Sequence, residues 1–171
     1  MKYIAFVFLA LTLIFSQNSF SQTESPRGKV GLVFSFSGFN LSGGVGAKYW
    51  MSSATAVRLN FHGSYSKNSN NNYSTSSASV ALGEENHFKV TNGVSPYVGV
   101  SLGYTRRIYA SSFSNEFDAN GFVGVEFWVY KSVTLSGEQG FLATYSKYST
   151  DSFYSLDVST STSSLLLSVY F

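Results

Sequence analysis

The sequence predicts an all-β fold, an eight-stranded antiparallel up-and-down transmembrane β-barrel, and three observations carry that prediction. Apolar residues after residue 21 recur with period two, the mark of a strand with two different faces, and no segment shows a helical period. Charged residues make up only 12% of the chain against roughly 25% in ordinary soluble domains, whereas aromatic residues reach 18%. The last eight residues, Ser164 to Phe171, alternate in the same way and run to the final aromatic with no polar tail.

The first 21 residues read as an export signal, not as part of the fold. Met1-Lys2 is a basic start, Ile4 to Phe15 an apolar run, and Ser19-Phe20-Ser21 a small-x-small cleavage site before Gln22. The run is short for a spanning helix, which needs roughly 20 apolar residues. Residues 22–171 are then one barrel domain. The absence of cysteine excludes disulfides, thiolate metal sites and a lipidated cysteine. A formal charge of +2 gives no footprint for nucleic acid. The sequence contains no phosphate loop, nucleotide fingerprint or zinc motif, so no cofactor is expected.

The strands follow in order. The first two, 28–38 and 42–51, are set by a very short connection at about Phe39–Leu41 and a tight turn near Ser52-Ser53. In the third, 55–66, Val57, Leu59, Phe61 and Tyr65 alternate with Arg58, Asn60, His62 and Ser64. The fourth, 76–88, lies between a Ser/Asn/Tyr-rich connection at Lys67–Ser77 and a turn at Thr91-Asn92-Gly93. In the fifth, 95–107, Val98, Val100, Leu102 and Tyr104 alternate with Tyr97, Gly99, Ser101 and Gly103. The sixth, 117–129, sets Val123, Val125, Phe127 and Val129 against Phe122, Gly124, Glu126 and Trp128. The seventh, 133–144, alternates Val133 and Leu135 with Thr134, Ser136 and Glu138, and the eighth is 157–171. Eight crossings of about 9–11 residues fit the length.

A soluble sandwich or lipocalin-like barrel also alternates, and two features argue against it. Glycine, serine and alanine often stand opposite the apolar face, where a sandwich would carry charge. Outward rings also fall near strand ends, Tyr65 and Tyr104 at the outer and Tyr49, Phe127 and Phe171 at the inner, as aromatic girdles do.

Four stretches carry a family resemblance: "GGVGAKYWMSSATAVRLNFHGSY", "VSPYVGVSLGY", "GFVGVEFWVYKSVTLSGEQG" and the terminal "LLLSVYF". In their order the chain resembles the OmpA/OmpX-type small outer-membrane β-barrels over residues 28–171. The resemblance implies an outer-membrane location in a Gram-negative bacterium, contact with outer-membrane lipid, and insertion by the barrel-assembly machinery. In that group the machinery reads a C-terminal strand ending in an aromatic, here Leu165, Leu167, Val169 and Phe171. It implies no shared activity, since one fold hosts many functions. The first outer loop is much shorter than in relatives that bind partners through long loops.

An eight-stranded barrel is just wide enough for side chains to fill. Lys48 and Arg58 on one hairpin, and Glu126 and Glu138 on the opposite one, are four to six residues from an inner turn. All four therefore lie on the order of 10–15 Å from the inner rim. Buried charges must be paired, so they are expected to form an ion-pair cluster across the lumen, with Tyr97, Phe122 and Trp128 as the bulk of a plug. A gate whose pairs exchange is the sharper reading of the same residues.

Two further constellations stand aside from the plug. His62 and Ser64 share one face and, with Glu85 or Glu126, form the parts of a lipid A-modifying hydrolase; in this register His62 points inward, away from lipid. Glu85 and His87 read as a rim pair, short of the three or four ligands of a metal site. Tyr73, Phe113, Tyr148, Phe153 and Tyr154 fall in Ser/Asn-rich outer loops, rings for area and hydroxyls for hydrogen bonds on a surface suited to a ligand. The expected function is non-enzymatic: a monomeric, plugged outer-membrane barrel with a structural or surface-interaction role. A narrow ion or small-solute channel is the alternative, and a lipid A-modifying enzyme a distant third.

Overall fold

A computed structural model describes residues 26–37, 40–68, 73–88, 93–110, 112–149, 154–160 and 163–171. The export signal and Phe153 lie outside these residues. The strands are β1 (Val30–Ser37), β2 (Asn40–Trp50), β3 (Thr55–Asn68), β4 (Tyr73–His87) and β5 (Val94–Tyr109). They continue with β6 (Phe113–Tyr130), β7 (Val133–Tyr148), β8 (Tyr154–Thr160) and β9 (Ser164–Tyr170). Each of the first seven pairs antiparallel with the next. β8 and β9 are two pieces of one barrel strand, both paired with β7. β9 also pairs with β1, from Gly31↔Tyr170 to Ser37↔Ser164, and the Phe171 amide donates to the Val30 carbonyl at 2.9 Å. The result is a closed eight-stranded antiparallel barrel.

Its outside is more apolar than its inside. Val100, Leu102, Phe141 and Leu156 are 64–71% exposed on the outer face, while Lys48, Glu85 and Glu126 are buried within. The glycines on inward positions are explained by the rings beside them. A Cβ at Gly124 would meet the Tyr97 ring, one at Gly99 would meet the Phe122 ring, and one at Gly31 would meet the Tyr170 ring, whereas one at Gly140 would meet the Gly121 carbonyl oxygen and the Phe122 Cβ. A lumen of this width admits a large ring only where its neighbour has no side chain. At an inner turn Gly93 takes φ 75°, a left-handed conformation that suits glycine.

The strands differ from the sequence expectation at their outer ends. Stretches read as loops near 73–76, 108–109, 113–116 and 146–148 are strand, so Tyr73, Phe113, Tyr148 and Tyr154 belong to β4, β6, β7 and β8. Beyond the apolar band both faces of a strand are polar, which erases the alternation that marks a strand in the sequence. The last strand, expected from 157, begins at Tyr154, and its described stretches Tyr154–Thr160 and Ser164–Tyr170 both pair with β7.

Candidate functional site: a charge chain across the lumen

Antiparallel register brings the inward charges of five strands together. Lys48 of β2 is the register partner of Arg58 of β3, and both side chains extend into the lumen. Lys48 Nζ lies 3.2 Å from Glu126 Oε2 of β6 and 2.7 Å from Glu85 Oε2 of β4. Arg58 Nη1 lies 2.9 Å from Glu85 Oε1 and 2.7 Å from Glu138 Oε1 of β7. Arg58 Nη2 adds 3.1 Å to Glu138 Oε2, a two-pronged contact. The order is Glu126, Lys48, Glu85, Arg58, Glu138: five charges of alternating sign from one wall to the other.

Neutral donors complete the carboxylates. Thr134 Oγ1 donates to Glu126 Oε1 at 2.7 Å, and the Tyr170 hydroxyl donates to the same oxygen at 3.0 Å. The Tyr97 hydroxyl donates to Glu138 Oε1 at 2.7 Å. Such bonds are what make a buried charge tolerable. Rings pack round the chain. Lys48 Nζ is 4.9 Å from the Trp50 ring centre, and Arg58 is 5.3 Å from that of Phe122. Trp128 stacks on Tyr170 with ring centres 5.2 Å apart, towards the inner mouth. Tyr97, Phe122 and Trp128 are all buried.

The sequence reading placed Glu85 and His87 at the rim as a local pair. The structure puts Glu85 at the centre of the chain, fully buried and shared by both cations. His87 Nε2 is 3.0 Å from Glu85 Oε2, its Nδ1 is 3.1 Å from Ser95 Oγ, and its ring stacks on Tyr97. Lys48 and Arg58 have long arms that reach two residues down the strand axis, which a count of residues from the turns does not capture. Trp50, wholly buried, is a further large ring beside the charge chain.

The other candidates lie apart. The Ser64 hydroxyl pairs with Ser77 Oγ at 2.7 Å, while Glu85 and Glu126 are held by Lys48 and Arg58, so the structure assembles no nucleophile–base–acid unit from them. Among the rings assigned to girdles, Tyr49, Tyr65 and Phe171 are exposed, and Tyr104 and Phe127 are half-buried on the outward face. The Tyr104 hydroxyl donates to Asn115 Oδ1 at 2.7 Å. In the closing strand Leu165 is exposed, and Leu167 and Val169 are half-buried, in register with Leu135 and Val133 of β7.

The closed eight-stranded architecture has solved counterparts. The N-terminal β-barrel domain of Pseudomonas aeruginosa OprF superposes with a TM-score of 0.53 at 14% identity, over 85% of this chain and 98% of that one. Neisserial surface protein A (NspA) superposes with a TM-score of 0.51 at 21% identity, over 84% of this chain and 94% of that one. The fold is that of the small outer-membrane barrels. No family model matches the chain, and no curated protein matches it. At these identities the likeness carries the architecture and not an activity.

Proposed function

We propose that the chain is an integral outer-membrane barrel of a Gram-negative bacterium, exported through a cleaved signal in residues 1–21, with a lumen plugged by its own side chains. Its role is structural or surface-interacting, exercised through the outer ends of the strands. The observation that carries this reading is the five-charge chain of Glu126, Lys48, Glu85, Arg58 and Glu138. A solute that crossed the lumen would have to break these buried contacts and displace Tyr97, Phe122 and Trp128. The apolar outer face supports a lipid environment, and the lumen carboxylates Glu85, Glu126 and Glu138 are held by Lys48 and Arg58. The surface role is further supported by the name of the Neisserial neighbour, a surface protein.

A narrow ion channel is the second reading, favoured by one feature: Glu85 is shared between Lys48 and Arg58, so the pairs have an alternative arrangement within reach. Two measurements test the proposal. Folded protein in the outer-membrane fraction is expected to show heat-modifiable gel mobility, which a soluble barrel would lack. Planar-bilayer recording is expected to show no steady conductance. Reproducible openings abolished by Glu138→Gln would replace the plug with the channel.

A further inference from the structure

Charge is sorted by face at the outer end of the wall. Inward and outward positions alternate along each strand, and the register carries that parity from β5 to β8. Among the described residues of these outer ends, the carboxylates Glu116, Asp118 and Asp157 all take the lumen parity. Glu116 holds Arg107 at 2.9 Å, and Asp118 accepts the Thr144 hydroxyl at 2.7 Å. The outward parity carries Arg106 and Lys147, both exposed and neither with a carboxylate partner among the described residues.

Arg106, Asn115 and Lys147 are register partners in one row across β5, β6 and β7. The row spans two strand spacings, about 10 Å, so its two long side chains can converge over Asn115. The Tyr104 hydroxyl donates to Asn115 Oδ1 at 2.7 Å, which leaves the Asn115 amide nitrogen as a donor. Arg106 stays on the outer face, its guanidinium carbon 4.8 Å from the centre of the Phe113 ring. The row presents donors, two of them charged, and no carboxylate. That is a site for an anion.

Depth decides the source of the anion. Phe127 and Phe117 stand ten residues apart on the outward face of β6, about 25 Å for a tilted strand, the height of the apolar band of an outer-membrane barrel. Phe117 packs on Tyr104 with ring centres 5.2 Å apart, and Tyr145 packs on Tyr154 at 6.3 Å, so rings line the outer border of the band. Asn115 lies two residues beyond Phe117, about 5 Å further out, within a headgroup layer that is roughly 5–8 Å deep on each side of a bilayer. Below the rings, Leu102, Ala119 and Ala143 form a register row of apolar outward side chains. An anion bound in the row has hydrocarbon beneath it, as the phosphate of a lipid does and a dissolved phosphate does not.

We propose that Arg106, Asn115 and Lys147 form a binding site for the phosphorylated head of an outer-leaflet lipid. The Arg106 fork and the Lys147 ammonium hold the phosphate oxygens, and Asn115 donates between them. The acyl chains descend past Phe117 and Tyr145 over Ala119 and Ala143. The site rests on the reading of the chain as an outer-membrane barrel and deepens it.

The test uses the folded barrel in phosphatidylcholine nanodiscs doped with lipid A, with or without its phosphates, and native mass spectrometry of the lipid that stays bound on release. The barrel is expected to retain phosphorylated lipid A in preference to phosphatidylcholine, to show no such preference for the dephosphorylated form, and to keep the lipid in excess inorganic phosphate. Arg106→Gln combined with Lys147→Gln is expected to cut retention about tenfold or more, while Arg106→Lys with Lys147→Arg preserves it. Lys131→Gln, which removes an exposed cation at the inner rim, is expected to change nothing. If the paired Gln variant does not fold, Arg106→Gln alone makes the same comparison. Equal retention of the two forms of lipid A, or retention untouched by the Gln variants, would overturn the site and leave the barrel reading standing. Displacement by inorganic phosphate would overturn the lipid as its ligand. A chain that does not insert into nanodiscs at all would overturn the outer-membrane reading, and the site with it.

Discussion

Lys48 and Arg58 are register partners on adjacent strands, two cations side by side in the lumen, and one carboxylate, Glu85, holds both of them at 2.7 and 2.9 Å. Without Glu85 the pair is a like-charge contact in a buried setting, which is destabilising. Glu85→Gln is therefore expected to cost about 3–5 kcal/mol of unfolding free energy, the range for breaking a buried pair. The part-buried contact of Arg107 with Glu116, a single pair whose cation is 42% exposed, is the control, because Glu116→Gln is expected to cost about 1 kcal/mol. Denaturant titration in lipid vesicles, read by gel mobility, measures both. Equal costs would mean that Glu85 is not the centre of the plug.

Tyr97 and Gly124 make a second, purely steric prediction. A Cβ at position 124 would meet the Tyr97 ring and its hydroxyl, which is bonded to Glu138. Gly124→Ala is expected to cost about 1–3 kcal/mol, as overpacking does. The same change made in a Tyr97→Ala background is expected to be nearly neutral. A double-mutant cycle measures the coupling, and additive costs would show that the two residues do not share the space.

How much of this was legible in the sequence depends on what each residue faces. Val98, Val100 and Leu102 alternate with small residues, and Lys48, Arg58, Glu126 and Glu138 fall on the other face of their strands, so the wall and four of the five charges could be read from period two. Glu85 could not be assigned its place, because depth was counted along the backbone from a turn, whereas Lys48 and Arg58 reach it with long side chains. Its inward parity with Gly83 and His87 was the available signal. The outer ends of β6 and β7 were hidden for a different reason: a strand wet on both faces has no alternation to detect.

The outer face yields a test of its environment. Leu102 is outward and 70% exposed at mid-strand. In a lipid-facing wall Leu102→Arg is expected to cost about 2–4 kcal/mol. In water the same change would be close to neutral, since surface substitutions usually lie within about 0.5 kcal/mol. Stability measured in vesicles decides between them.

The final strand carries a prediction about biogenesis. Leu165, Leu167 and Val169 lie on the outward face of β9, and the exposed Phe171 follows it. If this pattern is the address read during insertion, a short polar tail added after Phe171 is expected to lower the amount of folded protein in the outer membrane while leaving export unchanged. Fractionation with heat-modifiable mobility measures this, and normal assembly of the tailed chain would count against the address.

The bond from the Phe171 amide to the Val30 carbonyl has a consequence for the order of the strands. It sets the first and last strands beside each other at the same rim, so the barrel is topologically a ring. A few residues linking 171 back to the start of β1 would close that ring, and the turn at Lys131-Ser132 could be cut to make new ends at the same rim. Circular permutation of this kind keeps every strand neighbour while moving the terminal aromatic elsewhere, and so separates what the architecture requires from what the insertion machinery reads.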